Sequence, residues 1–334
     1  MGDARTFAID VGDLDGDGDL DLFSACYIPA PCTWFNDGTG AFTSGDQMLG
    51  APGEQHGVAL GDLDGDGDLD AFVVMHGVPD GVFLNDGSGR LADSGQGLGS
   101  GDIGALSVEL GDLDGDTDLD AAVAVFELEN RFWINDGRGT FTDSSRSLGD
   151  AQSRYMELGD LDADGDFDIY LCNARAADRI LLNDGTGIFI DSGQSLGPVN
   201  GYGDAALADL DGDGDLDAFW VNSEQGSGVF LNDGTGSFTD SGQVLGGPST
   251  RVCLADLDTN GTMDAIVCHH REGGRIWVND GAGVFASTGR LTEKDVIAIA
   301  VGDLDSDGDV DVVLGKREDT GGNHVLLNET QRGG

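Results

Sequence analysis

Apolar and polar positions along this chain alternate in short β-prone runs, with no sustained helical period. One set of runs (residues 58–60, 252–254, 297–301) stands just before a burst of aspartates, and a second set (71–74, 121–125, 218–221) stands just after it. A third set (82–84, 132–134, 276–278) leads into Asn-Asp-Gly, and a fourth (141–142, 238–239, 284–285) follows it. Asn-Asp-Gly-x-Gly between two strands predicts a hairpin, because Gly and Asn tolerate the positive φ of a tight turn.

This unit repeats. The pattern Asp-x-Asp-x-Asp/Asn-x-x-x-Asp begins at Asp13, Asp62, Asp112, Asp160, Asp209, Asp256 and Asp303, in steps of 47 to 50 residues. Asn-Asp-Gly-x-Gly begins at Asn36, Asn85, Asn135, Asn183, Asn232 and Asn279, always 23 residues after the first Asp. A four-stranded unit of this length cannot bury both faces alone, so seven of them predict a ring. The expected fold is all-β: a single seven-bladed β-propeller over 1–334 with four-stranded antiparallel blades at 1–50, 51–99, 100–149, 150–197, 198–246, 247–291 and 292–334. The last unit carries Asn328-Glu329 in place of Asn-Asp-Gly, and only 12 residues precede Asp13. Blade 7 is therefore expected to lack its outer strand, and the ring to close by face packing of blade 7 on blade 1.

Composition sharpens the picture. With 63 acidic and 16 basic side chains the formal charge is −47, which excludes a nucleic-acid-binding surface. Of the 63 acids, 53 are Asp, and most fall in the seven bursts, which points to bound cations rather than to a disordered acidic tail. Oxygen-only donors at this density suit Ca²⁺, about one per blade. The candidate ligands are Asp13, Asp15, Asp17, Asp19 and Asp21 in the first loop, and Asp62, Asp64, Asp66, Asp68 and Asp70 in the second. The third and fourth loops offer Asp112, Asp114, Asp116, Asp118 and Asp120, then Asp160, Asp162, Asp164, Asp166 and Asp168. The fifth offers Asp209, Asp211, Asp213, Asp215 and Asp217; the sixth Asp256, Asp258, Asn260, Thr262 and Asp264; the seventh Asp303, Asp305, Asp307, Asp309 and Asp311. Side chains are assigned at positions 1, 3, 5 and 9 and a backbone carbonyl at position 7, since the sixth loop keeps oxygen side chains at the former while Thr262 takes the latter. A bidentate Glu at position 12 and flanking helices are both missing, so the loops are not EF-hands.

Carboxylates about 4 Å apart repel by roughly 4 kcal/mol per pair at an effective dielectric near 20, so an uncompensated turn would splay. With a dissociation constant near 10⁻⁴ M, about 1 mM Ca²⁺ would add roughly 1.4 kcal/mol per site and about 10 kcal/mol over seven. That matches the whole stability of an ordinary domain. Two loops are expected to be weaker: Thr117 stands at position 6, where the others carry Gly, and Asn260 removes one carboxylate.

The residues that repeat, Gly61-Asp-Leu-Asp-Gly-Asp-Gly-Asp-Leu-Asp70 and Leu-Asn-Asp-Gly-Thr-Gly-x-Phe at 182–189 and 231–238, resemble the FG-GAP/VCBS repeats, related to the calcium-binding blades of the integrin α-subunit propeller. The literal Phe-Gly and Gly-Ala-Pro signatures do not recur from unit to unit, so the likeness is closer to bacterial-type VCBS repeats. The resemblance implies an extracellular or cell-surface, calcium-stabilised propeller used in adhesion or recognition.

Both repeated loops are expected on one face, and the variable loops on the other, where recognition usually resides. The candidate contact residues there are residues 27–31 from Tyr27 to Pro31, His56, His76, Glu127, Glu129, Arg154, Tyr155, Arg175, Tyr202, Arg251, His269, His270, Arg271, Lys316 and Arg317. Asp10, Glu109 and Glu157 share the position three before a burst and either line an acidic channel or face solvent. Trp34, Trp133, Trp220 and Trp277 lie in strand patterns and are expected in the core. Cys26 with Cys32, and Cys253 with Cys268, are equally compatible with bridges and with buried thiols. No apolar run approaches the roughly 20 residues that cross a bilayer, so no membrane insertion is expected. Residues 1–10 show no signal-peptide pattern, so any export signal is expected to have been removed. The expected function is non-enzymatic recognition or adhesion by a monomer with a protein or carbohydrate ligand. A lectin is the alternative, and a polysaccharide lyase or other enzyme ranks below both, because no nucleophile motif occurs.

Overall fold

The computed structural model describes residues 5–27, 32–50, 54–99, 101, 104–149, 152–269, 273–291, 293–317 and 322–329. It is an all-β, seven-bladed propeller. Six sheets hold four antiparallel strands taken consecutively from the chain, and the seventh holds three. The sheets span 6–44, 55–93, 105–143, 153–191, 203–240, 251–290 and 296–326. The innermost strands, Thr6–Gly12, Gln55–Gly61, Ala105–Gly111, Ser153–Gly159, Gly203–Ala208, Arg251–Ala255 and Val296–Gly302, contact each other in chain order, and the last contacts the first.

The second strand of each blade explains why the units need one another. Asp21–Cys26, Asp70–Met75 and Asp120–Val125 are buried at every position, so side chains alternating to both faces all need cover. The core is accordingly seven layers, each between successive blades. Phe72, Val74 and Val82 of blade 2, for example, meet Val108, Val123 and Trp133 of blade 3. The closing layer between blades 7 and 1 is the sparsest among the described residues, with Leu22, Ala300, Leu304 and Val313 buried and Ile9, Trp34 and Phe42 packed beside them. Trp133 and Trp277 are buried, while Trp34 and Trp220 are half-buried against the core. None of the five cysteines forms a disulfide, so the two candidate pairs are thiols.

Polar clasps supplement these layers. The Asn of each Asn-Asp-Gly is a turn residue in the sequence, but its Nδ2 donates across the blade boundary. Asn85 donates to Leu14 O (2.8 Å) and to its own blade's Leu69 O (3.0 Å), and Asn135, Asn183, Asn232 and Asn279 repeat the arrangement. The ring seam uses the same device, with Asn36 Nδ2 donating to Leu304 O of blade 7 at 2.8 Å, and at the boundary of blades 6 and 7 Asn328 Nδ2 donates to Leu257 O at 2.9 Å. Closure of a three-stranded blade thus rests on face packing plus the same clasp that joins the other blades.

Candidate functional site

The acidic loops and the Asn-Asp-Gly hairpins share one face, since they join strands one to two and three to four of antiparallel blades. Backbone N–H groups wind each loop around its carboxylates. In the first loop Asp13 accepts from Gly16 N (2.8 Å) and Gly18 N (3.0 Å), and Asp17 from Asp19 N (3.0 Å). The fully buried Asp21 accepts from Leu14 N (3.0 Å) and Asn36 N (2.8 Å), so position 9 ties the loop to the hairpin. Position 7 lies against the hairpin too: a Cβ at Gly38 would come within 2.6 Å of Asp19 Oδ2.

This winding gathers oxygen atoms. Within 4.8 Å of one another lie ligand atoms of Asp13, Asp15 and Asp17; of Asp62, Asp64 and Asp66; of Asp112, Asp114 and Asp120; of Asp160, Asp162 and Asp168; and of Asp209, Asp211 and Asp217. At position 3, Oδ1 of Asp15, Asp64, Asp114, Asp162 and Asp211 is buried and has no hydrogen-bond partner. Burial pushes the position-9 carboxyls of Asp21, Asp70, Asp168 and Asp217 up to about 6 and that of Asp120 up to about 7, against the backbone N–H donors that favour the charged form. Five orphaned oxygens at one repeated position, in an all-oxygen donor set, fit a hard divalent cation.

Position 6 has positive φ throughout, from 89° at Gly261 to 99° at Gly165, and Thr117 is held at 79°. Position 4 is also left-handed, including at Ala163, Thr259 and Ser306, with φ of 61°, 59° and 57°. The sixth loop therefore carries a β-branched residue in that region as well as Asn260.

The opposite end of the channel is built differently. Pairing of the innermost strand with the second slips by one residue at Phe7, His56, Leu106, Arg154 and Ile297, each six residues before its burst. A β-bulge re-aims the extra residue, and all five line one cavity of about 370 Å³ at the channel mouth. Arg5, Arg251 and Arg317 join Arg154 there, with Glu54, Tyr155, Tyr202 and Thr250. The guanidinium of Arg251 lies 3.8 Å from the Tyr155 ring centroid, donates from Nε to Ile297 O (2.8 Å) and stands 4.0 Å from Asp204. His56 stacks between Phe7 (4.7 Å) and His76 (5.0 Å), with Nε2 3.1 Å from Glu54. Burial holds its imidazole below the usual range, opposed by Glu54.

Deeper in the channel, Glu109, Glu157 and Asp204 line a narrower cavity of about 180 Å³. Burial, then the charges of Asp10 and Asp204, pushes Glu109 up to about 8. Burial and then Glu109 and Asp204 raise Glu157 well above the carboxylate range, with Arg251 opposing. Asp10 accepts from Val11 N and Leu60 N, both at 2.8 Å, so it braces blade 1 to blade 2. Of the three sequence candidates, Glu109 and Glu157 therefore line the channel, while Asp10 is engaged at the boundary of blades 1 and 2.

The FG-GAP-like repeat family matches residues 13–73, 160–220, 209–267 and 256–314, more than half of the chain. The chain belongs to the FG-GAP-like repeat family. No curated protein matches it. Among solved structures it is similar to the BP39L lectin of Burkholderia pseudomallei (12% identity, 98% of this chain, 100% of that one, TM-score 0.68). It is also similar to an Agrocybe aegerita lectin that recognises non-reducing terminal N-acetylglucosamine (20% identity, 94% and 86%, TM-score 0.63). BBS1N, solved in complex with ARL6DN, gives 12% identity, 98% and 93%, and TM-score 0.66. At these identities the likeness concerns the fold.

In this FG-GAP-like propeller, the mouth brings together His56, Arg154, Tyr155, Tyr202, Arg251 and Arg317 of the variable-loop candidates, with His76 stacked behind. Lys316 instead pairs with Glu293 (2.7 Å), Tyr27, Glu127 and Glu129 are exposed outside the cavity lining, and Arg175 is exposed over the Phe126 ring (5.9 Å) that also neighbours Arg154. Residues 28–31, 270 and 271, and the side chain of His269, lie outside the described residues. Sequence reasoning missed Arg5, Phe7, Glu54, Leu106, Asp204, Thr250 and Ile297. The signal that finds most of them is the constant offset of six from each burst, which selects Phe7, His56, Leu106, Arg154, Gly203, Thr250 and Ile297.

Proposed function

We propose that this chain is a calcium-stabilised, extracellular, non-enzymatic recognition or adhesion module, acting as a monomer through the channel-mouth face. The observation that carries the reading is the orphaned Asp Oδ1 repeated in five loops on one face, opposite a mouth whose residues differ in every blade. A cation supplies the missing partner and reverses the repulsion in each loop, so the loops serve as scaffold. Candidate ligands are Asp or Asn side chains at positions 1, 3, 5 and 9, with the position-7 carbonyl. Millimolar free calcium outside cells suits sites of moderate affinity, which supports the extracellular reading. Melting in calcium and in chelator tests this; a shift of a degree or two would defeat it.

The second reading, a lectin, is favoured by the orphaned hydroxyl of Thr250 and imidazole nitrogen of His56 at the mouth. A glycan array in calcium, with no sugar bound, would count against it. Catalysis is not part of either reading: acidic polysaccharides incubated with the protein in calcium are expected to stay uncut, and release of unsaturated fragments would reverse that.

A further inference from the structure

Four residues that line the mouth cavity each carry a buried side-chain polar atom with no hydrogen-bond partner: Arg5 Nε, Arg154 Nε, His56 Nδ1 and Thr250 Oγ1. A buried polar atom without a partner is destabilising, so four around one cavity call for a common partner. They come from blades 1, 4, 2 and 6, so no local turn accounts for them.

Arg154 defines the chemistry. Its guanidinium lies 4.4 Å from the Tyr202 ring centroid, with Tyr155 at 5.9 Å and Phe126 at 6.0 Å, and no carboxylate among the described residues pairs with it. Stacking on aromatic faces fixes the plane of a guanidinium and leaves its N–H edge for a planar acceptor, which a carboxylate matches with two parallel bonds. Arg5 is held over Phe7 at 4.4 Å and stands 3.8 Å from Glu54. Of the 16 basic residues in a chain of charge −47, four arginines meet here; among the described residues the mouth cavity itself is lined by one carboxylate, Glu54, with Glu109, Glu157 and Asp204 in the narrower cavity below. The hydroxyl of Thr250 and the imidazole of His56 suit neutral hydroxyl groups. A volume of about 370 Å³ lies at the small end of ligand sites.

We propose that the channel mouth binds a sugar acid, a single hexuronate unit, with its carboxylate on Arg154 and its hydroxyl groups on Thr250 and His56. This rests on the mouth face being the recognition face, and is independent of the calcium loops.

Calorimetric titration in calcium with D-glucuronate and D-galacturonate, against D-glucose, D-galactose, inorganic phosphate and sulfate, tests it. Wild type and Arg179→Gln, an exposed arginine paired with Asp191 on the blade 4 edge, should bind at least one uronate. Arg154→Gln should weaken binding tenfold or more at unchanged melting temperature, and Thr250→Val should weaken it several-fold. The neutral sugars should not bind. Absence of uronate binding, equal binding by Arg154→Gln, or equally tight binding of phosphate or sulfate would overturn the proposal. Retention by Arg154→Gln of any ligand found on a glycan array would remove the hexuronate site and leave the recognition module standing; no ligand of any kind on folded protein would remove both.

Discussion

The two ends of the channel carry the same kind of anomaly with opposite symmetry. On the loop face the orphans recur with the blades, Asp Oδ1 at position 3 in five of them and Asn Oδ1 of the hairpin in three; at the mouth, four different atoms are orphaned, each from a different blade. A defect repeated with the blades calls for a partner repeated with the blades, such as a small cation. A defect that breaks the repeat calls for one asymmetric partner. On the function proposed above, scaffold and recognition lie at opposite ends of the ring axis, and each can be perturbed alone.

The largest expected effect is on the loop face. Chelation should remove about 10 kcal/mol and lower the melting temperature by about 20 °C or more, in wild type and Arg154→Gln alike. A chelator effect that differed between the two would break the separation. Next comes the seam. Asn36→Ala leaves Leu20 O and Leu304 O without their buried donor and should cost about 2–3 kcal/mol in denaturant titration in calcium. Asn135→Ala, the same clasp inside the ring, should cost a similar amount, but only the seam variant should speed amide exchange in blades 7 and 1, where the core layer is sparse.

A smaller effect concerns pH. Glu109 has its folded-state pKa raised from 4.5 to about 8, so the folded protein keeps a proton that the unfolded chain releases. Its contribution is full below about pH 4.5 and is lost as pH rises through about 8. Channel water tempers the loss, because part of the side chain stays accessible. At saturating calcium the melting temperature of wild type should fall by a few degrees between about pH 6 and 8.5, and that of Glu109→Gln should fall less. Equal slopes would remove Glu109 from the account. The smallest effect is a paired exchange in the loops: Thr117→Gly should stabilise by about 0.5 kcal/mol, and Gly67→Thr should destabilise by about 1 kcal/mol. Both are read from melting in calcium.

Much of the scaffold is legible in the linear chain because its causes are local. Alternation within six residues makes a strand, carboxylates two residues apart make a loop, and Asn-Asp-Gly makes a hairpin; seven copies in register then imply a ring. Even the short last blade follows from what stands at 328–329. The positive φ at position 6 was legible from Gly against Thr117, whereas the same requirement at position 4 was masked by Ala163, Thr259 and Ser306.

What only the tertiary structure decided involves partners far apart in sequence. Asn85 reaches a carbonyl 71 residues away, and Asn36 one 268 residues away, contacts that exist only once the blades stack and the ring closes. The mouth depends on five bulges in strand pairing, which turn residues that alternation alone would place elsewhere toward a common axis. No window of the sequence holds Arg5, His56, Arg154 and Thr250 together; closing the ring does, because six of the seven blades deliver the sixth residue before the burst to one cavity, and blade 1 adds Arg5 from two residues further upstream.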